Sequence, residues 1–462
     1  MGHSRAMAFQ SAARFRVYVP VRVRGFLLMG LAVVALCAAA MLPVQQAQAL
    51  DVNVRAYDVP VANGGTAYVS QDSGYSRVFV DAPSEEVDIE NVTAVASSNP
   101  DVVVDTCGSW GDRAYFDIAV SGSASAVVTY EFLLPDGATA AGSFTVRPFA
   151  VGLGSRAFAA DYDGYYILYK GAKAVQPRIT GASGVTWASS NPAVAKVSSK
   201  GAISFKGLGS CVITATFGNV EVRIPVECTY KKAYRAVANG YADMGTKLTY
   251  SQTKRMEKNY RDCSSFVSRC FWDASLKRKL YAIGGTSGKT WSFPAAEQAK
   301  WLNGQKKTVA KRAVDPSKLL AGDTVYNTTG YAGINDRYLS IDHAMLYAGN
   351  GLMLTTGGYS FVGGTVGLRP YWSDDPSIKL IARPCAEPQL NVTKATLTKK
   401  KGEAHSMQLK MQWQKGKVTW KSSNKKVATV NSKGKVVAKK KGKATITAKV
   451  AGKTYKCKVT VK

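Results

Sequence analysis

The sequence predicts a multidomain chain in which small all-β sandwiches flank one α+β domain. Two observations carry that prediction. A block at positions 185–215 recurs without a gap at an offset of 233, and between the copies, from about 229 to 388, strand-like alternation gives way to helical spacing. At 462 residues the chain is also longer than one hydrophobic core usually serves, so roughly three or four domains of about 100 to 150 residues are expected.

Taken in order, residues 1–49 read as a signal peptide. No acid precedes Asp51, while Arg5, Arg14, Arg16, Arg22 and Arg24 stand before an apolar run from Phe26 to Leu42 that closes with Ala47-Gln48-Ala49. A charged start, an apolar middle and small residues at the end are the marks of a cleaved secretory segment. The expected location is secreted or cell-wall associated; left uncleaved, the segment would be a membrane anchor. Residues 50–150 then alternate short β-branched runs with turn formers. Val102 to Val104 and Ala126 to Phe132 read as strands, and Ser98-Asn99-Pro100 and Pro135-Asp136-Gly137 as turns.

The repeat pairs Val185-Thr186-Trp187-Ala188-Ser189-Ser190-Asn191 with Val418-Thr419-Trp420-Lys421-Ser422-Ser423-Asn424, and 17 of the 31 positions from 185 to 215 are identical. Its content suits a sandwich. There is an inward Trp, a Ser-Ser-Asn turn, a Ser-Lys-Gly turn, and a Gly before an alternating strand, Cys211 to Thr216 or Ala444 to Lys449. Ser97-Ser98-Asn99 is a third, degenerate copy with Val95 in the Trp position. These residues resemble the bacterial Ig-like family 2 (BIG2) modules. The resemblance implies Ig-like sandwiches at 151–228 and 389–462, a degenerate one at 50–150, and a spacer or adhesive role.

Charge is concentrated at one end. Of a net charge of +30, the segment from Leu390 onward carries 21 Lys, no Arg and one acid, Glu403, hence about +20. Outside a cell such a surface suits anionic wall polymers. Nucleic acid is not expected, because Arg is scarce and no aromatic platform interrupts the lysines; a merely solvated face is the plainer reading. Beyond the signal segment seven cysteines remain, an odd number in an oxidising compartment. Cys228 with Cys385, or Cys211 with Cys228, could pair. No metal-ligand spacing and no cofactor motif occurs.

In the central region, 229–388, Tyr230 to Met244 and Asp262 to Trp272 have helical spacing, while Thr324 to Tyr326, Ala344 to Ala348 and Leu352 to Thr356 read as strands. Asp262 is placed to cap a helix whose buried stripe is Cys263, Phe266, Val267, Cys270 and Phe271. Cys263 then lies in the first turn, where the helix dipole favours thiolate; Cys270 reads as core. A nucleophile needs a base. Of three histidines, His3 belongs to the signal segment and His405 to the lysine-rich module, which leaves His343, on a strand before the turn Gly349-Asn350-Gly351. The returning strand would set Thr355 one diagonal step from it, on the same face.

Asp262-Cys263-Ser264-Ser265-Phe266-Val267, Phe293-Pro294 with Gln298, Leu320-Ala321-Gly322-Asp323, and the strand from His343 to Gly351 together resemble the NlpC/P60 family in order and spacing. The resemblance covers about Tyr250 to Thr356. It implies a papain-like α+β fold and a cysteine peptidase that cuts amide bonds in peptidoglycan stem peptides, with Cys263 as nucleophile, His343 as general base and Thr355 in the third position. Tyr250, Asp262 and Ser264 match substrate-binding positions. Two departures stand out: Ser265 where the family usually has Gly, and Thr355 where it commonly has His. A threonine hydroxyl could accept a bond from imidazole Nδ1–H but brings no charge; Asn335 or Asp336 could reach the ring from a loop instead. The expected partners are peptidoglycan and anionic wall polymers. The alternatives are a surface adhesin whose central domain is weakly active or inactive, and a CHAP-type muramoyl-alanine amidase.

Overall fold

A computed structural model describes residues 53–55, 58–71, 76–81, 91–110, 113–133, 137–158, 164–218, 220–244, 246–273, 278–279, 293–329, 336–356, 365–400 and 405–462. The expected signal segment, the turn at Pro135-Asp136, Asn335 and Glu403 lie outside them. Among the described residues the chain is mostly β, with three α-helices, and no helix is long and apolar enough to cross a membrane.

The first part is a sandwich. Strands β1 (Asp58–Val61), β2 (Thr66–Ser70), β3 (Ser76–Asp81), β4 (Asn91–Ser97), β5 (Val102–Trp110), β6 (Arg113–Val120), β7 (Ala126–Leu133) and β8 (Thr139–Gly152) form two sheets. One has the order β1-β3-β6-β5; the other holds β8, β7 and β4 in that order with β2 parallel to β8. Strict alternation on β7 turns Ala126, Val128, Tyr130 and Phe132 inward, each worth about 1.5–3 kcal/mol for the larger side chains when fully buried.

Next come β9 (Tyr165–Tyr169), β10 (Arg178–Thr180), β11 (Thr186–Ser189), β12 (Gly209–Phe217) and β13 (Val220–Thr229). β13 is central to a sheet in which β9 runs parallel to it and β12 antiparallel, with β11 beyond β12. The boundary expected at 150/151 falls inside β8, and β10 pairs with the end of that strand. The two β regions therefore share one apolar core that runs from Ala67 to Cys228.

The central region contains α1 (Lys231–Met244), α2 (Cys263–Cys270) and α3 (Ala295–Gly304). Its sheet is built from β14 (Thr308–Ala310), β15 (Thr324–Asn327), β16 (His343–Gly349), β17 (Leu352–Thr356), β18 (Val366–Pro370) and β19 (Ile378–Ala382), in the order β14-β19-β15-β16-β17-β18. Every residue of β16 is buried, because apolar layers lie on both faces. The helical layer contributes Ala236, Val237, Phe266, Val267 and Leu302, and the opposite face carries Val325, Met345, Tyr347, Met353 and Ile381.

The terminal module comprises β20 (Lys394–Leu397), β21 (Thr419–Ser422), β22 (Gly442–Val450) and β23 (Lys453–Val461) in the order β20-β23-β22-β21. A second sheet of three short strands, Ser406–Gln408, Lys435–Ala438 and Ala428–Val430, faces it. The repeated residues do matching work in both copies. Gly201 and Gly434 have φ of +80° and +82°, and a Cβ on either would meet Trp187 or Trp420 within 3 Å, so each half-buried indole closes over a bare glycine. The Ser-Ser-Asn turn recurs in all three copies: Ser98, Ser190 and Ser423 Oγ accept from the N–H of Val127, Val212 and Thr445 at 2.8–2.9 Å. Neither proposed disulfide forms. All seven described cysteines are free thiols, and Cys228 Sγ faces the Val194 carbonyl at 3.4 Å.

Candidate active site

Helix α2 starts where the sequence places it. Asp262 is the N-cap: its Oδ1 accepts from Ser265 N at 2.6 Å, and Ser265 Oγ accepts from Asp262 N at 2.9 Å, a closed capping box. Ser265, a departure from the family pattern, is thus what completes the cap. The stripe of Phe266, Val267 and Cys270 is buried against α1 and the central sheet. This sets the helix start beside the start of β16, and Cys263 Sγ lies 3.8 Å from the Asp342 carbonyl oxygen, one residue before His343.

His343 Nε2 is 2.9 Å from Thr355 Oγ1 across the β16–β17 pair, the diagonal relation expected from strand geometry. The ring nitrogen differs from expectation: Thr355 engages Nε2 rather than Nδ1. With a neutral ring that donates from Nε2, Nδ1 is the basic nitrogen left for a thiol proton. Asp336 makes no bond to the ring.

Burial governs the electrostatics. Cys263 and His343 are 6% and 7% exposed. Desolvation, with the Asp262 carboxylate adding to it, pushes the Cys263 thiol up to about 12. The backbone N–H groups of Ala344 and Ser264 and the Arg255 cation offset this only in part. Burial thus opposes the thiolate that the helix dipole favours. Desolvation, then the nearby Arg369 cation, holds the His343 imidazole down to about 4, against the pull of Asp342 and Asp262. Both shifts favour the neutral form of the group concerned.

Of the expected substrate-binding residues, Tyr250 is 41% exposed. It is held beside the helix start because Thr249–Tyr250 pairs in parallel with Tyr260–Arg261. Its phenol is raised first by burial, then by Cys263. Asp262 and Ser264 are buried and occupied. Asp262 Oδ2 accepts from Arg255 Nη1 at 2.8 Å, and Arg255 Nη1 also donates to Ser264 Oγ at 2.9 Å. They hold an arginine against the helix start, and removing one partner of a pair this buried typically costs several kcal/mol.

Three supporting residues have roles that the sequence reading did not assign. Gln298 on α3 donates from Nε2 to the Ser264 and Phe293 carbonyls at 2.8 Å and receives the Tyr326 hydroxyl on Oε1 at 3.2 Å, tying α3, α2 and β15 together. Asp342 receives Thr329 N and Oγ1 at 2.7 and 2.9 Å. Arg255 had no distinguishing signal in a chain with 61 basic residues, whereas the adjacency of Asp342 to His343 and the place of Gln298 in the family pattern were visible.

Comparison with known families matches residues 388–461 to the bacterial Ig-like domain, group 2, and residues 179–219 to the intimin immunoglobulin-like domain. No NlpC/P60 domain is detected. The curated proteins contain no match. Among solved structures, domains 1–6 of the surface layer protein SbsC share 15% identity over 86% of this chain and 54% of that one, at a TM-score of 0.14. Domains 4 and 5 of SbsC share 19% over 29% and 75%, at 0.14, and the insect immune protein hemolin 10% over 88% and 97%, at 0.17. This chain thus spans about half of the six-domain SbsC structure, and TM-scores of this size carry no inference about function. The Ig-like domains suggest a surface or adhesin-type protein.

Proposed function

We propose that the chain is a secreted surface protein in which Ig-like modules carry one papain-like, NlpC/P60-type cysteine peptidase domain that cuts amide bonds in peptidoglycan stem peptides. The observation that supports this best is the approach of the α2 start to the β16 start, with Cys263 beside Asp342-His343 and Thr355 on the far ring nitrogen. In this reading His343 Nδ1 takes the Cys263 proton as Sγ attacks the carbonyl carbon, and the Cys263 N–H at the start of α2 meets the oxyanion. The C–N bond breaks, the imidazolium protonates the departing amine, and water hydrolyses the thioester to free acid and thiol. After a cleaved 1–49 segment the chain is read as one β unit over 50–228, a central domain over 229–388 and a terminal module over 389–462. Peptidoglycan and anionic wall polymers are the partners.

A second reading, an adhesin whose central domain is weakly active or inactive, is favoured by the matches to Ig-like domains and by the buried, uncharged state of Cys263 and His343. Incubation of the mature protein with peptidoglycan, followed by mass spectrometry of the soluble fragments, separates the readings. Cleaved stem peptides are expected; loss of the whole stem from the sugar would mark a muramoyl-alanine amidase, and intact peptidoglycan the adhesin.

A further inference from the structure

The terminal module and the module at 151–228 share one strand plan. Gly209 pairs with Cys228 and Thr186 with Thr216 in the first, Gly442 with Val461 and Thr419 with Lys449 in the second, each displaced by 233. The parallel first strands also correspond, since Tyr166 pairs with Val226 where Ala395 pairs with Val459. One sheet face can thus be compared across two copies of the same fold.

In the first copy that face is a docking face. Tyr165 and Ile167 point out of the sandwich into the apolar layer of the central region. Tyr165 OH donates to the Ala348 carbonyl at 2.9 Å, and Asn350 N donates to Glu227 Oε1 at 2.9 Å. In the terminal copy the matching positions are Lys394, Thr396 and Thr460, and nothing in the described chain covers them. A groove of about 620 Å³ lies there instead, lined by Lys394, Thr396, Lys443, Thr445, Lys458 and Thr460.

The residues form a lattice. Lys394, Lys458 and Thr445 stand in one row across three strands, and Thr396, Thr460 and Lys443 in the next. The pattern continues on the same face through Lys456 beside Thr447 beside Lys421. All of these lysines are exposed, and none has an ion-pair partner among the described residues. The fold does not require them. At the positions of Lys421, Lys443, Lys456 and Lys458 the first copy builds the same sheet with Ala188, Ser210, Arg223 and Pro225.

We propose that this face binds a linear polymer whose repeat carries phosphate and no bases. Ammonium groups act as point charges toward phosphate, and the interleaved hydroxyls donate to phosphoryl oxygens. A carboxylate polymer would favour the planar fork of arginine, and the module has no arginine. Single-stranded nucleic acid needs stacking platforms, yet Trp420 and Tyr455 pack toward the module's core. Neighbouring strands about 4.8 Å apart and same-face residues about 7 Å apart along a strand put several cations under one extended chain. The inference goes beyond the peptidase reading and does not depend on Cys263.

The test uses the whole mature chain and poly(glycerol phosphate). Unmodified protein is compared with the triple variant Lys394→Gln, Lys443→Gln, Lys458→Gln, and with a control of equal charge loss on other surfaces, Lys425→Gln, Lys433→Gln, Lys435→Gln. The face variant is expected to lose about tenfold or more in affinity, with a salt dependence shallower by about two to three counterions, and the control less than about threefold. Equal loss in both variants, or no loss in either, overturns the proposal. So does polyglutamate, or a duplex DNA fragment, bound by the unmodified chain as tightly as poly(glycerol phosphate). Binding by Cys263→Ala at the unmodified level separates this result from the fate of the peptidase reading.

Discussion

The titrations of Cys263 and His343 are governed by burial more than by charge. With the thiol raised to about 12 and the imidazole lowered to about 4, alkylation of Cys263 by iodoacetamide at pH 8 is expected to be far slower than that of the exposed Cys107. Peptide mapping by mass spectrometry reads both sites; comparable rates would contradict a desolvated thiol. His343 is neutral above its lowered value, so the acid limb of kcat/KM should fall near pH 4 rather than pH 6 to 7. Thr355 Oγ1 meets ring Nε2 without bringing charge, and its loss should misorient the imidazole. Thr355→Val, similar in volume at a fully buried position, is expected to lower kcat by roughly tenfold or more with little change in KM. An unchanged kcat would remove Thr355 from the machinery. The two residues could be singled out from the sequence, because one histidine remained for one helix-capped cysteine. The choice of ring nitrogen and the dominance of desolvation could not, since both arise from packing by α1, α3 and the two faces of the sheet.

The β16–β17 hairpin carries both His343 and Thr355, and its turn is anchored outside the central sheet. Gly349 has φ +105°, and a Cβ there would come within 2.7 Å of Glu227 Cγ, while the following N–H, on Asn350, donates to Glu227 Oε1. Glu227 Oε2 is buried without a hydrogen-bond partner. Burial, with Asp323 adding repulsion, raises the Glu227 carboxyl to about 7, and the Asn350 bond counters it only in part. The raised value means that the folded chain keeps the proton between about 4.5 and about 7 while the unfolded chain releases it. Stability should therefore fall as pH rises through that window and level off above it, by roughly 3 kcal/mol at most. Glu227→Gln keeps an acceptor for Asn350 and removes the titration. Its thermal midpoint should exceed that of the unmodified chain at pH 8 and show a weaker dependence on pH; parallel pH profiles would contradict this. The hairpin itself was readable from alternation and the Gly-Asn-Gly turn, as were α1, α2 and the repeat. Its anchor was not, because Glu227 is more than 100 residues away in sequence and resembles any alternating polar residue of an edge-exposed strand.

At the scale of the whole molecule, one sandwich plan serves two opposite surfaces. The copy at 151–228 turns Tyr165, Ile167 and Glu227 toward the central region, and the terminal copy turns lysines and threonines of the same face to solvent. The repeat made the common plan visible from sequence because its turn chemistry is local: the same Ser, Asn and Gly positions recur with the same bonds. The continuity of the first two β regions was hidden, since β8 carries no break at 150/151 and its pairing with β10 is long-range. Under the proposed function the Ig-like modules position and hold, and chemistry falls to the central region. The most direct test of that claim is the initial rate of stem-peptide release from peptidoglycan by the mature protein and by Cys263→Ala, side by side. The account predicts steady release by the unmodified chain and a fall of at least about 10³-fold in the variant; equal release by the two proteins, or none by either, would contradict it.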